Sequence, residues 1–299
     1  MHRAHGGRRH DGLRAGALQS RQADVALDVA TQDIPALKRS GVSVLQGTQP
    51  GQPVSFVVNT TRPGLADAAV RKAIMIGFDR VSNVRAVLGS AYSPATSILT
   101  RNLPQYKDES PALAFAPTKA ESGLDAAGWA PGPDGIRVKG GVTLKFAITY
   151  SASYGAYFTS LLQLFQQQMK DIGIGITLKN LTQAGQVSAG SKHDFDLYLA
   201  SLTDPDPDII RSTVANFLFA DKNALQAAGL TRLFTRSQAD ADPSARKATY
   251  AKIQDTMIDN GFIIPFWEGS QLVGAGDRVS GLAQDFQAWS RFHDVSVRG

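Results

Sequence analysis

Residues 142–180, VTLKFAITYSASYGAYFTSLLQLFQQQMKDIGIGITLKN, decide the fold class. Leu144, Phe146, Ile148 and Tyr150 alternate with other residues, the period of a strand with one buried face. Phe158, Leu161, Leu162, Phe165 and Met169 then recur at helical spacing and mark one apolar stripe. Gly173 follows as a left-handed cap, and Ile174, Ile176 and Leu178 return to strand alternation. A strand, a helix and a strand in this order form a β-α-β crossover between parallel strands, the unit of α/β proteins.

Outward from this unit the same alternation continues. Val25–Val29, Val42–Leu45, Val54–Asn59, Phe195–Ala200, Phe262–Phe266 and Gln271–Val273 read as short strands. Asp67 stands as the N-cap of a helix carrying Val70, Ile74 and Phe78 one turn apart, with Asp79-Arg80 near its end. Further helices are predicted over Lys119–Ala127, Leu225–Ala239 and Ser244–Asn260, and a long irregular connection over 89–115. Residues 1–17 carry no apolar periodicity and are expected to be disordered.

Composition narrows the function. The 299 residues carry a net charge of +5, of which residues 1–22 supply +4, with Arg3, Arg8, Arg9, Arg14 and Arg21 against Asp11. A nucleic-acid surface needs basic residues clustered on a folded face, so no nucleic-acid partner is expected. There is no cysteine, which excludes thiolate nucleophiles and cysteine zinc sites. No apolar run approaches the roughly 18 residues that cross a bilayer. The basic first residues lead into no apolar core of a signal peptide.

No catalytic motif stands out: G-x-S-x-G and the phosphate-binding G-x-x-x-x-G-K-[ST] are both missing. Only His193 and His293 lie beyond the basic head, so a hydrolase would depend on one of them, for instance on His193, beside Asp194, as its base. No catalytic residue, cofactor or metal site is assigned. The segment Asp204-Pro-Asp-Pro-Asp208 spaces carboxylates as a calcium loop does, but Ile209 and Ala215 occupy the positions that need glycine and a bidentate glutamate. Its prolines stiffen the turn, which suits either a carboxylate held toward a ligand ammonium or a plain acidic surface turn. Tyr150, Tyr154, Tyr157, Trp267 and Trp289 lie where an aromatic side chain can line a pocket or fill a core.

The assembled motifs resemble the bacterial extracellular solute-binding proteins of family 5, the peptide/nickel type. The strongest stretch is Val57-Val-Asn-Thr-Thr-Arg-Pro-Gly-Leu-Ala-Asp-Ala-Ala-Val-Arg-Lys-Ala-Ile74, running on to Phe78-Asp79-Arg80. In order there follow Leu88-Gly-Ser-Ala-Tyr-Ser-Pro-Ala95, Leu103-Pro-Gln-Tyr106, Lys119-Ala120 with Ala127-Gly-Trp129, and Asp134-Gly-Ile-Arg137. Gln168 with Asp171-Ile-Gly-Ile174, Phe195-Asp196, Asp206-Pro207, Tyr250 with Gln254, Ile264-Pro265 and Val279 with Gly281 complete the series. Upstream, Ala17-Leu-Gln-Ser-Arg-Gln-Ala-Asp-Val25 is similar to a family segment that has glycine where Arg21 stands.

The resemblance implies an α/β, periplasmic-binding-protein-like two-lobed fold of class II type, N-terminally truncated so that the first lobe is incomplete. It divides the chain into a disordered basic head (1–17), a remnant of the first lobe (18–58), a second α/β lobe (59–270) and a return to the first lobe (271–299). It implies no enzyme. It implies a monomeric, extracytoplasmic solute-binding component of an ABC importer that delivers peptides, or a related small solute, to permease subunits; a truncated, ligand-incompetent fragment is the alternative. In peptide binders of the family an aspartate just before the Asp-Pro pair receives the ligand ammonium, which points to Asp204, one position out of the usual spacing, and keeps Asp206 as the other candidate. Tyr150, Tyr154 and Trp267 are the expected aromatic wall. The stretch after the central strand, Tyr150-Ser-Ala-Ser-Tyr154, has no arginine to take a dipeptide carboxylate, which favours longer peptides or a different solute.

Overall fold

The computed structural model describes residues 11–151 and 156–298. The first described element is a helix, α1 (Asp11–Gln19), followed by strand β1 (Val25–Leu27), helix α2 (Ile34–Arg39) and strands β2 (Ser43–Thr48) and β3 (Gly51–Val58). Helix α1 corrects the expectation of a disordered head through residue 17; residues 1–10 lie outside the described residues. Its cause is apolar burial. Ala15 and Leu18 face inward and join Ala26, Val29, Leu37, Val42, Ala91 and Leu272 in a small core, and Arg14 Nη1 donates to Asp28 O at 3.0 Å. Leu18 meets the backbone so closely that a Cβ on Gly274 would lie 2.6 Å from its Cδ1. Truncating such a side chain costs about 2–4 kcal/mol. Leu18→Ala is therefore expected to lower the urea midpoint of the small unit, and an unchanged midpoint would mean that α1 does not support it.

Helices α3 (Ala68–Ile76) and α4 (Arg80–Leu88) come next. Asp67 caps α3 as predicted, accepting from Ala69 N at 2.9 Å. The single helix expected through Arg80 is instead two, because Gly77 sits where the Ile172 side chain presses in. A Cβ there would meet Ile172 Cδ1 at 2.5 Å and Ala73 O at 2.6 Å. Asp79 then caps the second helix through Ser82 N. Strand β4 (Ser93–Pro94), helix α5 (Pro117–Ala126) and a three-stranded flap of β5 (Ala130–Pro131), β6 (Arg137–Lys139) and β7 (Val142–Thr143) follow.

The β-α-β unit is present as β8 (Lys145–Ser151), α6 (Ala156–Asp171) and β9 (Gly175–Leu181), with β8 and β9 parallel and Gly173 at φ +85°. Helix α7 (Gln183–Ser191) leads to β10 (Leu197–Thr203). A π-helical segment, Ile210–Leu218, follows the acidic turn. The helix expected over Leu225–Ala239 is split into α8 (Lys222–Ala227) and α9 (Leu230–Ala239) by Gly229 at φ +76°. Helix α10 (Pro243–Asp259) and strands β11 (Ile263–Glu268) and β12 (Ser270–Ala275) close the main body.

Six strands form the large sheet in the order β4-β11-β3-β10-β8-β9, and β1-β12-β2 form a separate small sheet. Strand β3 is therefore central to the large sheet and not part of the unit built from residues 18–48. The reason is its burial: all eight residues are buried, as a strand covered on both faces requires. Strand β8 likewise departs from the one-faced alternation, since Thr149 and Ser151 are buried with Ile148 and Tyr150. Helix α6 covers one face, where Phe165 packs 4.9 Å from Phe56 and 5.0 Å from Phe78. On the other side, Gln186 of α7 donates to Leu199 O at 2.7 Å.

Candidate functional site

Strands β8, β9 and β10 run parallel, and β11 runs with them because both β10 and β11 are antiparallel to β3. Their carboxyl ends, Ser151, Leu181, Thr203 and Glu268, thus share one edge of the sheet. In open α/β sheets ligands bind outside this edge. Here it is also the edge from which the chain crosses to the small sheet, at Gln49-Pro50 and at Gly269.

Of the candidates named from sequence, Tyr150, Asp204, Asp206 and Trp267 all lie at or just beyond this edge. Tyr154 lies outside the described residues. Tyr150 is 3% exposed and Trp267 1% exposed, both within the main core. Trp267 stacks edge-to-face on Phe158 at 5.0 Å and on Phe266 at 4.8 Å. Tyr157, half-buried, packs 4.9 Å from Phe158 and 6.2 Å from Tyr92, so Tyr92 extends the same aromatic cluster. Burial pushes the Tyr92 hydroxyl above its ordinary pKa against a hydrogen bond from Tyr157. Nothing in its local sequence distinguished Tyr92, because the long connection before Pro117 hides which residues fold back onto the sheet. Trp289 stands apart from the cluster, exposed on a short hairpin.

The three carboxylates of the acidic turn have different surroundings. Asp206 Oδ1 pairs with Arg246 Nη2 at 2.7 Å, and the Arg246 guanidinium lies over the Tyr250 ring. Asp208 is held by Arg211 through two bonds, 2.8 Å to Nε and 2.5 Å to Nη2. Asp204 Oδ1 accepts from Asp206 N at 2.8 Å, an Asx turn that fixes the loop. Among the described residues no basic side chain pairs with Asp204. Its backbone N donates to Pro50 O at 3.0 Å, which places it against the first crossover. Arg246 was not legible as a partner of this turn, since it reaches Asp206 from a helix forty positions away, whereas Arg211 stands only three residues beyond Asp208.

His193 takes a structural part. One ring nitrogen lies 3.0 Å from Phe217 O, and the tautomer that makes this bond carries its proton on Nε2. The residue sits at φ +52° at the end of α7, and its carbonyl accepts from Asn59 Nδ2. A groove of about 320 Å³, lined by Gln163, Gln166, Gln167 and Lys170, opens beside the start of β9, at the opposite end of the sheet from the acidic turn. Among the described residues no group of three or more His, Asp or Glu side chains is placed to hold a metal, and no helix is long and apolar enough to cross a membrane.

A family model described as bacterial extracellular solute-binding proteins, family 5 middle, matches residues 10–221. The chain belongs to this family. Its curated relatives include di/tripeptide-binding protein 2 of Pseudomonas aeruginosa, 23% identical over 248 residues, a match covering 81% of this chain and 45% of that protein. Protein XP55 of Streptomyces lividans is 28% identical over 203 residues, covering 66% of this chain and 36% of that protein. Among solved structures, NikA from Brucella suis in complex with Fe(III)-EDTA superimposes with a TM-score of 0.83 at 20% identity, covering 96% of this chain and 60% of that one. The oligopeptide-binding protein AppA from Bacillus subtilis, in complex with a nonapeptide, gives a TM-score of 0.80 at 17% identity, covering 97% and 59%. The fold is therefore the α/β, two-lobed periplasmic-binding-protein fold. The chain spans less than half the length of these curated relatives and about 60% of these solved chains.

Proposed function

We propose that this family 5 chain acts as the solute-binding component of an ABC importer, capturing a peptide or related small solute outside the cytoplasm and delivering it to permease subunits without chemical change. The observation that carries this reading is Asp204. Two carboxylates of its turn are already neutralised by arginines, and the third, at the carboxyl edge and beside the first crossover, has no cationic partner among the described residues. A ligand ammonium would complete it. The Asx turn leaves little conformational freedom to lose on binding. Hinge closure around the bound solute would then present the closed form to the permease. Delivery needs no second copy of the chain, so a monomer suffices.

A charge-assisted hydrogen bond is worth about 1.5–3 kcal/mol, so Asp204→Asn is expected to weaken a mixed peptide pool by roughly tenfold or more. Calorimetric titration at two salt concentrations measures it. Asp206→Asn serves as the contrast, because its carboxylate already has Arg246 and its loss is expected to change affinity little. Equal binding by the parent and the Asp204 variant would mean that the turn is plain surface.

A second reading, a ligand-incompetent fragment of such a protein, is favoured by one observation. Leu13, Leu27, Phe286, Trp289 and Val297 are exposed large apolar side chains in the small unit and the segments adjoining it. Exposed apolar side chains on so small a unit can pack against further polypeptide. A folded chain that binds no peptide at either salt concentration would favour this reading.

A further inference from the structure

The two units are joined by two very short backbone crossovers lying side by side. Gln49-Pro50 links β2 to β3, Gly269 links β11 to β12, and Gln49 N donates to Gly269 O at 3.0 Å. A rotation of one unit against the other must change torsions in these few residues.

One loop of the large unit, Thr100-Arg101-Asn102, grips both. Thr100 N donates to Gly51 O at 2.9 Å, and Gly51 N donates to Thr100 Oγ1 at 3.0 Å. Thr100 Oγ1 donates to Asn102 Oδ1 at 2.8 Å, which orients the amide so that Asn102 Nδ2 donates to Thr48 O at 2.9 Å. The first crossover is therefore held on both flanks. On the second, Arg101 Nε stands 3.1 Å and 3.0 Å from the two carboxylate oxygens of Glu268, and Arg101 N donates to Oε1 at 3.2 Å. Glu268 is 1% exposed. Burial pushes its pKa up, while Arg101 holds it down. From the other side, Asp204 N binds Pro50 O.

This arrangement does more than cover a surface. Arg101 is nearly half exposed and adds little to any core, yet its Nε is the charge partner of a buried carboxylate at the last residue before the second crossover, while its Nη2 donates to Pro94 O at 3.2 Å. We propose that Thr100-Arg101-Asn102 is a hinge clamp that sets the angle between the two units, with Arg101 and Asn102 acting as positioning residues for ligand capture at Asp204. The coupling to capture rests on the solute-binding reading; the clamp does not.

The chain has no cysteine, so a Lys38→Cys, Lys119→Cys pair supplies the only thiols for spin labels, one on each unit. Electron double resonance on the otherwise unaltered chain is expected to give one narrow distance distribution. Arg101→Gln, Asn102→Ala and their combination should broaden it or shift it by several ångström, and Arg101→Lys should restore it in part. A purely structural role would lower the melting temperature without moving the labels' separation. A combined variant with the parental distribution overturns the clamp, and Asn102→Ala alone decides the matter should the combined variant not fold. The same variants are expected to change affinity for a mixed peptide pool by several-fold. A moved distribution with unchanged affinity upholds the clamp and overturns its coupling to capture. If neither parent nor variant binds peptide, the solute-binding reading fails while the distances still decide the clamp.

Discussion

Gly51→Ala is expected to cost about 4 kcal/mol or more, enough to unfold the large sheet or lower its melting temperature by roughly ten degrees. Gly51 has φ +119°, far from any region comfortable for a side chain. A Cβ there would lie 2.2 Å from Leu202 O and 2.8 Å from Asp204 N. Both are backbone atoms, so no side chain can swing away to make room. Strands β3 and β10 would have to part where they meet, at Thr203↔Gly51, and the bonds to Thr100 and Pro50 would go with them. Gly135→Ala is the control, since Gly135 also has positive φ, +78°, but nothing within 4 Å of the added carbon. Its cost is the conformational one alone, about 1–2 kcal/mol. Thermal melts of both variants measure the difference, and equal losses would show that the backbone approach at Gly51 is not tight.

That contrast explains much of what the sequence makes legible. The central β-α-β unit is readable because strand alternation, helical stripe and capping glycine all act within forty residues. The large sheet's order is not, because β3 finds its partners β10 and β11 across about 140 and 210 positions. A run such as Gly51–Val58 signals burial on both faces but not between which strands. The same limit hides α1, whose two inward residues gain a core only when Gly274 and Val42 arrive from elsewhere. Both split helices turn on glycines, Gly77 and Gly229, whose meaning depends on a neighbour or on a φ that propensity does not reveal.

The family motifs are legible for a related reason: the side chains that carry them hold the backbone together. Arg71 binds Leu65 O, Ala66 O and Asn260 O. Arg80, buried, with its pKa pushed down to about 9, binds Met75 O and Pro265 O over the Phe78 ring. Such residues specify the scaffold and say nothing of the solute. Tyr150 and Trp267 were legible as aromatics near a strand end, but whether an aromatic there fills the core or faces a ligand depends on the helix above it. Asp206 resembled a free acid because Arg246, which pairs with it, comes from a helix forty positions away, whereas Asp208 is held by Arg211 three residues on.

Trp267→Ala should therefore act first on stability, by about 3–5 kcal/mol. The indole is 1% exposed, packs edge-to-face on Phe158 and Phe266, and shares its cross-strand position with Val54. Its removal leaves a cavity between β11 and the start of α6, where the surrounding rings cannot collapse without disturbing β3. A loss of peptide binding in this variant would not by itself identify a ligand contact. Trp267→Phe separates the two roles, because it keeps most of the packing and removes the indole N–H and part of the face. As a core residue, Trp267→Phe costs about 1–2 kcal/mol by denaturant titration and leaves peptide affinity within twofold of the parent. As a wall of the binding cleft, it loses affinity several-fold while the unfolding midpoint scarcely moves. The burial on both flanks predicts the first outcome, and the second would return Trp267 to the ligand-binding set beside Asp204.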